Sequence, residues 1–578
     1  MKFSCFLSIL SLALLCDLVQ ALDYAFDDPS LLERREYANN DIDYKTLENQ
    51  NPYYDDDDNY NDNKNNEVAV PFALGPPSRS LTAVPASTTD ITEVVPVRYV
   101  LKAGEYHVYK LNASNAVSGT KINYYATGNL CGVPSWDGSK GGAMRIQLAT
   151  NLTDLTINNR SQPLYDYFDR GFSNITINNM DSSASANSTA YLMVMAPKLE
   201  QINITQGAGL NTNETWTYEL AISTQSPVHR YFDNPNLYLV DTDFANALLV
   251  SGNLTTDKNI SVSGNAPFMT NASTYYSIHV FHSNSSQAVS AIDLDRSYCA
   301  VQTSSRVLLD TLNAQVSHTT RGAGGFEKLQ YFLSGLNKST SYVAYLSEPF
   351  NRSNTAQGGA LFGGVNFTSK AETNCQIVYD LDLCSDVAFA VPGNASVYSA
   401  KKLSTAYDDY ARDLYNAFNT SMQVIQCGDD VDDADRYSIL RTCDDCRESY
   451  RQWLCATTIP RCTDSTIDKS FLFYRDANSS RTDFINNVIQ PGPYNEVLPC
   501  IDLCYGILQD CPSSFGFVCP RQGLPGFDGA YYLKEGSGSD VTCNYPGVVY
   551  TPNSGARVTA ALMWISMAMA LFTFMFIF

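Results

Sequence analysis

The feature that most constrains this chain is a run of cysteines near its C-terminal end. Of its 16 cysteines, 12 lie at or after position 375, in groups spaced C-x2-C-x8-C-x6-C and C-x3-C-x6-C-x7-C. So many cysteines in one region indicate structural disulfides formed in an oxidising compartment. The residues predicted to build this framework are Cys375, Cys384, Cys427, Cys443, Cys446, Cys455, Cys462, Cys500, Cys504, Cys511, Cys519 and Cys543.

The first 21 residues, 1–21, have the pattern of a secretory signal peptide. Lys2 gives the positive start, residues 6–15 form the apolar centre, and residues 19–21 form a small-residue cleavage site. The alternative is a buried N-terminal helix or strand. Removal of the signal discards Cys5 and Cys16 and leaves 14 cysteines, the even number that complete pairing requires.

Glycosylation sequons and the net charge support an extracellular location. The chain has 17 Asn-x-Ser/Thr sequons, all between its two apolar ends, and a formal net charge of −22. Nucleic-acid binding is disfavoured, because phosphate recognition needs a basic surface. The predicted acceptors are Asn112, Asn151, Asn159, Asn174, Asn187, Asn203, Asn213, Asn253, Asn259, Asn271, Asn284, Asn337, Asn351, Asn366, Asn394, Asn419 and Asn478.

The end of the chain, 547–578, is predicted to attach the protein to a membrane. Its last 19 residues carry no charge, and no basic residue follows them. The small residues Asn553, Ser554 and Gly555 suit a glycolipid-anchor signal, with Asn553 the first candidate site. The spacer after them is shorter than the usual ~8–12 residues, so a retained membrane helix stays open. No other stretch is apolar enough to span, so the mature chain is not expected to form a pore alone.

Composition and periodicity divide the rest of the chain. Residues 22–91 are predicted to be disordered, because residues 22–67 hold 14 acidic and 4 basic residues. This segment is interpreted as a solvated spacer or as a tail that attracts calcium or a partner. Period-two runs at 144–148 and 216–222 then predict half-buried strands of antiparallel β-sandwiches. The segment 97–111 is predicted as a strand, a turn at Gly104 and a second strand.

The β-patterned region is long for one domain, so two β-sandwiches are predicted, at 92–228 and 229–372. Cys131 and Cys299 are the two cysteines of this region, and whether they pair stays open. The strands expected in the second sandwich are 237–240, 276–281, 328–333 and 342–346.

A disulfide-rich helical domain is predicted at 373–546. Apolar residues from Tyr407 to Ile425 recur at helical spacing, with Thr405 as the expected N-cap. Cys500, Cys504 and Cys511 are expected on one face of a second helix. The fold class is therefore a multidomain β + α protein, with antiparallel sandwiches followed by a cysteine-rich helical domain.

The sequence predicts no catalytic residue, cofactor or metal site. It lacks the nucleophile elbow, the zinc-protease helix motif, the phosphate loop and the dinucleotide fingerprint. His279 and His282 are three apart in a strand pattern, so they point to opposite faces. The C-x2-C pair at Cys443 could serve zinc or redox chemistry, but disulfides are favoured. The acidic insert at 429–435 is interpreted as a solvated loop or a weak calcium-collecting loop.

The cysteine spacing resembles a frizzled-type cysteine-rich domain over roughly residues 375–545. The pattern C-x8-C-x6-C beginning at Cys446, with a proline two residues before its end, is similar to the centre of that domain. The pattern L-P-C-x3-C-x6-C beginning at Leu498 is similar to its later helix. The segments L-C at 383–384 and V-P-G-N at 391–394 resemble its start, whereas the acidic insert before Cys443 departs from it.

The whole chain resembles the fungal stretch-activated calcium-influx subunit family. The order of segments and the phrase CQIVYDLDLCSDVAFAVPGN, residues 375–394, carry this resemblance. It implies a non-enzymatic auxiliary subunit at the extracellular face of the plasma membrane, reached through the secretory pathway, with an endoplasmic-reticulum pool left open. The implied partner is a large multi-span voltage-gated-type cation channel pore subunit, and the animal sodium-leak channel has an auxiliary subunit with a similar cysteine-rich domain.

Docking on the pore subunit is expected through the surface around the helices at 446–462 and 500–519. The alternatives are a mechanosensitive pore formed by this chain itself and an anchored glycoprotein that binds lipid or glycan. The sequence leaves open the disulfide pairs, the anchor type and site, and the occupied sequons. It also leaves open the docking residues, direct calcium binding and the element that transmits force.

Overall fold

A computed structural model gives the structure of this protein. The residues that it describes are 88–113, 121–135, 137, 144–155, 164–181, 188–199, 214–252, 276–283, 290, 292–303, 313–322, 327–351, 354–426, 437–438, 440–524, 526–534 and 541–548. The predicted signal, Cys427, the acidic insert at 429–435, Asn553 and the apolar tail lie outside these residues.

The first part of the described chain is a pair of β-sheets around one apolar core. One sheet has the order β1 (Thr89–Asp90), β3 (Tyr106–Ala113), β8 (Ser188–Met195), β5 (Arg145–Ala149) and β6 (Leu164–Tyr167). The other has the order β2 (Val97–Leu101), β9 (Trp216–Ser223), β4 (Lys121–Gly132) and β7 (Phe172–Asp181). Neighbouring strands are antiparallel except β1 and β3. Trp216 and Ile146 meet in the core between the sheets.

One prediction at the start of this region needs correction, and another is confirmed. The strand β1 lies at the end of the segment predicted to be disordered, 22–91, because Thr89 and Asp90 pair with Tyr109 and Lys110. The strand, turn and strand predicted for residues 97–111 are confirmed, and the two strands belong to different sheets. The chain changes sheet near Gly104, whose φ of 76° favours glycine.

A second pair of β-sheets follows. One sheet has the order β10 (His229–Phe232), β17 (Asn354–Phe362), β16 (Ser341–Asn351) and β13 (Ser277–His282), and β18 (Val365–Thr368) also pairs with β16. The other has the order β11 (Leu237–Thr242), β12 (Asn246–Ser251), β15 (Lys328–Ser334) and β14 (Asn313–Thr319). The helix α1 (Tyr298–Thr303) contacts both β4 and β17, so it lies between the two pairs. The four strands predicted in this region are confirmed.

The strand β9 is buried on both faces, so its predicted half-burial is wrong. Tyr218 faces the core of its own sheet pair, as the alternation predicts. Glu219 and Ala221 point the other way and are also fully buried. The reason is that the second sheet pair covers this face, where His229 and Gly358 contact Glu219.

The region from Cys375 onward combines small sheets with helices. Its helices are α2 (Ala400–Met422), α3 (Cys443–Thr458) and α4 (Asp502–Asp510). Strands β19 (Cys375–Val378) and β20 (Phe389–Pro392) form one sheet. The other has the order β21 (Arg461–Thr463), β23 (Tyr494–Val497) and β22 (Leu472–Arg475). The coarse prediction of a β-rich multidomain protein is confirmed, and the frizzled-like comparison stays a prediction.

The helix predicted from the spacing after Tyr407 is α2, but it begins earlier than expected. Ser399 is its N-cap and accepts a hydrogen bond from the Lys402 N–H at 3.5 Å. Thr405 lies inside the helix, where its hydroxyl donates to the Lys401 carbonyl. The first turn carries exposed lysines and few apolar residues, so the apolar periodicity starts after the helix does.

Candidate functional site

The candidate site is the cysteine-rich region together with its contacts to the sheets. The described cysteines form six disulfides among themselves, and Cys443 is disulfide-bonded as well. Because Cys443 and Cys446 are both disulfide-bonded, they act as structural crosslinks and are not available as zinc ligands or as a redox pair. The six are Cys131–Cys299, Cys375–Cys462, Cys384–Cys455, Cys446–Cys511, Cys500–Cys543 and Cys504–Cys519.

Only one of the three cysteines predicted on one helical face lies within α4. Cys504 is in the helix, and Cys511 is its C-cap residue. Cys500 precedes the helix, because its backbone N–H donates to the Asn544 carbonyl at 3.0 Å in a β-bridge. The three cysteines therefore bond to three different segments, and α4 is fixed near its start by Cys500 and Cys504 and at its end by Cys511.

An aromatic cluster holds α2, α3 and the segment after α4 together. The rings of Phe418 in α2 and Tyr450 in α3 stack with their centroids 3.6 Å apart. Phe515 and Phe517 pack against Phe418 from the chain that follows α4. The disulfide between Cys446 and Cys511 closes the same core. Aromatic packing and sulfur crosslinks thus fix the relative positions of these elements.

The start of α3 is set by a capping box. The Thr442 hydroxyl accepts a hydrogen bond from the Asp445 N–H at 3.2 Å, and the Asp445 carboxylate accepts one from the Thr442 N–H at 2.7 Å. These hydrogen bonds from Thr442 lower the pKa of Asp445. The helix therefore begins directly at Cys443, the first cysteine of the C-x2-C-x8-C-x6-C group.

The outer side of α4 exposes apolar residues that have no part in the core. Tyr505 and Leu508, three residues apart, are 48% and 46% exposed, whereas Ile507 is buried. Val518 and Leu524, in the chain that the Cys504–Cys519 disulfide ties to α4, are 84% and 53% exposed. We call Tyr505, Leu508 and Val518 the α4 surface. It lies in the region expected to dock on a partner.

A buried ion-pair network joins the cysteine-rich region to the second sheet pair. The carboxylate of Asp241 in β11 accepts hydrogen bonds from Arg461 Nε at 3.0 Å and Lys370 Nζ at 2.9 Å. It also accepts one from the Ala390 N–H at 3.1 Å. Burial alone would raise the pKa of Asp241, but Arg461 and Lys370 lower it below its usual value. Asp241 is therefore an ionised carboxylate that holds β11 against β20 and β21.

Two more buried carboxylates cross the same junction. Asp243 accepts hydrogen bonds from the Asn246 N–H of its own turn at 2.7 Å and from the Ile377 N–H of β19 at 2.9 Å. Burial raises the pKa of Asp243, against the effect of these hydrogen bonds. Asp464 accepts one from the Ala371 N–H at 2.8 Å. The junction is thus held by specific polar contacts in addition to apolar packing.

A second buried carboxylate network joins the two sheet pairs. Glu219 accepts hydrogen bonds from Arg98 at 2.7 Å and from the Gly358 N–H at 2.7 Å, and it lies 3.0 Å from His229 Nε2. Burial alone would raise the pKa of Glu219, but His229, the Gly358 N–H and Arg98 together lower it. The Thr127 hydroxyl lies 2.9 Å from the other ring nitrogen of His229, so the ring is held from both sides.

The disulfide whose formation the sequence left open lies beside this network. Cys131 of β4 bonds to Cys299 of α1, across 168 positions of the chain. Among the described residues, the two sulfurs and a Glu219 oxygen are the one group of potential metal ligands within 4.8 Å of one another. Both sulfurs are committed to the disulfide, so they leave no thiolate pair for a metal.

The histidines that were considered as metal ligands lie in separate contacts. His279 Nε2 is 2.7 Å from the Ser347 hydroxyl, and the ring of His282 stacks on Tyr342. The two side chains do not converge, as the strand spacing predicts.

The described sequon asparagines are all accessible to some degree. Asn394 and Asn419 are partly exposed. The other ten lie outside the residues whose side chains the structure describes, and glycosylation itself stays a prediction. The five that are exposed are Asn151, Asn174, Asn337, Asn366 and Asn478.

The residues that tie the parts together were not found from the sequence. The signal for them is a charged residue inside an apolar strand: Glu219 in WTYELAIS and Asp241 in LYLVDT. Such a charge is either on the solvent face or buried with a partner, and the partner, here Arg461 for Asp241, is distant in the chain.

In the part of the chain that the structure describes, no helix is both long and apolar enough to cross a bilayer.

The fold and these contacts define a β-rich, multidomain protein whose helical C-terminal region is crosslinked by disulfides and held to the sheets by buried ion pairs. Residues 123–549 match the family model Mid1, described as a stretch-activated Ca²⁺-permeable channel component. The chain belongs to this family of channel components.

Two curated relatives are similar over most of their own length. The chain is 40% identical to the stretch-activated cation channel yam8 of Schizosaccharomyces pombe, over 60% of this chain and 68% of that protein. It is 31% identical to the stretch-activated cation channel MID1 of Saccharomyces cerevisiae, over 75% of this chain and 82% of that protein. A periplasmic inhibitor of g-type lysozyme from Salmonella Typhimurium shares 9% identity, with a TM-score of 0.13, over 24% of this chain and all of that one. A score so low carries no argument about fold.

Proposed function

We propose that this chain is a non-enzymatic auxiliary subunit of a plasma-membrane Ca²⁺-permeable cation channel. In this role it docks from the extracellular side on a large multi-span pore subunit and supports calcium influx on stretch or depletion. Membership of a family of channel components supports the calcium role. The observation that carries the auxiliary role is the α4 surface, which exposes apolar residues on a scaffold fixed by disulfides.

Rigidity is the physical reason why this scaffold suits docking. A surface that is already ordered loses little conformational entropy when a partner binds, so more of the contact energy appears as affinity. The Asp241 network fixes the position of the cysteine-rich region relative to the second sheet pair, so the sheets also restrict its motion. Membrane attachment of this chain would add to the affinity, because it raises the effective concentration beside the channel.

Co-purification tests the docking role. The full chain is extracted from membranes in mild detergent, and the captured proteins are identified by mass spectrometry. A large multi-span cation channel should be recovered with the wild type, and recovery should fall at least about tenfold with Leu508→Asp, because a buried charge in an apolar contact costs more than 1.4 kcal/mol. Val100→Asp is the matched control, since Val100 is 51% exposed but lies in β2. Failure to recover a channel with the wild type would contradict the proposal.

A pore formed by this chain itself is the second candidate function. The two relatives are both named stretch-activated cation channels, which favours it. Purified chain reconstituted in liposomes and subjected to membrane tension separates the two proposals. The auxiliary role predicts no current above protein-free liposomes, whereas stretch-dependent current from this chain alone would favour the pore.

Attachment by a glycolipid at Asn553, after removal of the tail, is part of the same proposal. Treatment of intact cells with phosphatidylinositol-specific phospholipase C should release the chain into the medium. Retention after treatment, together with a mass that includes residues 560–578, would indicate a membrane helix instead. The release experiment on intact cells also tests the extracellular location, because the enzyme does not cross the bilayer.

A further inference from the structure

A cavity of about 540 Å³ lies where the second sheet pair meets the cysteine-rich region. Three parts of the chain surround it: residues 318–322 at the end of β14 with Glu327 just before β15, the loop between β19 and β20 with one residue of α3, and the last described segment, 545–548. Its volume is within the range of pockets that hold one small ligand, and domain junctions are frequent places for such pockets.

The C-terminal wall of the cavity is held in place by backbone hydrogen bonds. The Gly547 N–H donates to the Asp386 carbonyl, and the Gly322 N–H donates to the Gly547 carbonyl, each at 2.9 Å. Gly547 has a φ of 86° and lies close to Asp386, so a residue with a side chain would be strained there. The wall of the cavity is therefore fixed by hydrogen bonds to both the second sheet pair and the cysteine-rich region.

The cavity wall includes a buried donor with no acceptor. Arg321 is 9% exposed, and its two terminal nitrogens donate to the carbonyls of Asp386 at 2.7 Å and Ser385 at 3.1 Å. Its Nε–H is buried and has no hydrogen-bond partner among the described residues. A buried donor left without an acceptor costs free energy, which the two hydrogen bonds of the terminal nitrogens to the cavity loop offset.

The charges around the cavity almost cancel. Three carboxylates line it, those of Glu327, Asp380 and Asp386. Against them stand the guanidinium of Arg321 and that of Arg451, which lies 2.7 Å from Asp386. Lys328, whose Nζ donates to the Arg321 carbonyl at 2.9 Å, and Glu448, which also pairs with Arg451, add one charge of each sign. The charges stay close to balance, so neither a polyanion nor a polycation gains much from this site.

The hydrogen-bonding groups of the wall suit a ligand that both donates and accepts. Carboxylates accept from hydroxyls, and the amide of Gln452 and the hydroxyls of Thr319 and Thr320 donate or accept. Leu381 and Pro546 add apolar surface. Sugars present many hydroxyls around an apolar ring face and carry no charge, so they fit this combination.

We propose that this junction cavity binds a neutral saccharide of one to a few sugar units. The ligand would contact the sheet pair, the cysteine-rich region and the segment 545–548 at once. Its binding would therefore oppose separation of these parts. The source is either the glycan of a glycoprotein or a free or polymeric glucan, and the two offer the same hydroxyl chemistry.

The test uses the full chain in mild detergent, treated with an endoglycosidase so that its own glycans do not compete. Binding is measured by saturation-transfer NMR and calorimetry with two probes, a β-1,3-linked glucose hexamer and a high-mannose oligosaccharide released from protein. At least one probe should bind the wild type. Preference for the mannose probe indicates a glycoprotein source, and preference for the glucose probe indicates a glucan.

Two conservative variants locate the site. Glu327→Gln and Asp380→Asn keep the shape of the side chain and remove a charged acceptor, so each should weaken binding about fivefold or more. Asn also tolerates the φ of 54° at position 380. Asp413→Asn, at an exposed position of α2, is the control and should bind like the wild type.

Hydrogen exchange gives an independent readout. At a saturating concentration, the bound oligosaccharide should slow amide hydrogen exchange at residues 545–548 in the wild type. The same concentration should not slow it in Asp380→Asn. Absence of binding by both probes, or equal affinities for wild type and both cavity variants, would overturn the proposal. None of these measurements needs the channel, so failure here leaves the docking role standing, and failure of co-purification leaves the saccharide site standing.

Discussion

The carboxylate of Asp241 accepts a hydrogen bond from Arg461 Nε at 3.0 Å although the two residues are 220 positions apart in the chain. Both side chains are almost fully buried, about 10% exposed. This one contact joins a strand of the second sheet pair to the sheet of the cysteine-rich region, so the stability of each part depends on the other.

Replacement of Asp241 by Asn should lower the free energy of unfolding by about 3–5 kcal/mol. The reason is that Arg461 and Lys370 would then be buried without their counter-charge. Chemical unfolding of the full chain, followed by tryptophan fluorescence, measures this. Asp413→Asn, on the exposed side of α2, should change it by less than about 0.5 kcal/mol. Similar changes in unfolding free energy for Asp241→Asn and Asp413→Asn would show that the network does not stabilise the junction.

The contribution of Glu219 to stability should depend on pH in a defined direction. Its pKa in the folded protein is below the ordinary value of 4.5. Its contribution is therefore fully present above pH 4.5 and is lost as the pH falls through the lower folded pKa. The difference in unfolding free energy between wild type and Glu219→Gln should be constant from pH 7 to about 5.5 and should shrink below pH 4.5. A difference that grows as the pH falls would contradict this.

The disulfides should differ in how much they stabilise the fold. Cys131–Cys299 closes 168 positions of chain, whereas Cys504–Cys519 closes 15. In the chain-entropy description, the longer loop contributes about 2 kcal/mol more. Paired Cys→Ala variants of each bond, unfolded with guanidinium under non-reducing conditions, test the order. Equal losses would indicate residual structure in the unfolded chain that removes the loop-length effect.

Arg321→Lys should loosen the junction without unfolding the protein. Lysine cannot hold the carbonyls of Ser385 and Asp386 together in the planar geometry of a guanidinium. Amide exchange at Gly322 and Gly547 should rise about tenfold, the effect of one lost hydrogen bond to a charged group. Arg521→Lys, at an exposed position, is the control. Unchanged exchange in Arg321→Lys would show that the junction does not depend on this side chain.

Local patterns predicted much of the fold because they depend on neighbours in the chain. The alternation around Trp216 predicted β9, and the spacing after Tyr407 predicted α2. The number of cysteines and the predicted oxidising compartment indicated that disulfides form. They did not indicate which cysteines pair, because pairing depends on which segments meet in space. The second buried face of β9 was missed for the same reason: the residues that cover it, His229 and Gly358, belong to another sheet.

The candidate site was predicted only in part. Its region was found from the cysteines, and the exposure of Tyr505 and Leu508 follows from which side of α4 packs inward, which the spacing alone does not fix. The only local sequence pattern that indicates the ion pairs at the junctions is a charged residue in an apolar strand. Their partners come from distant segments, and only the three-dimensional structure brings them together.

The position of Gly547 sets the order in which bonds would break if the chain were pulled from beyond Val548. A pulling force would reach the two backbone hydrogen bonds of Gly547 before it reached the covalent Cys500–Cys543 link. The segment after Cys543 would thus detach at low tension, whereas the ion pairs of Asp241 would still hold the sheets and the cysteine-rich region together.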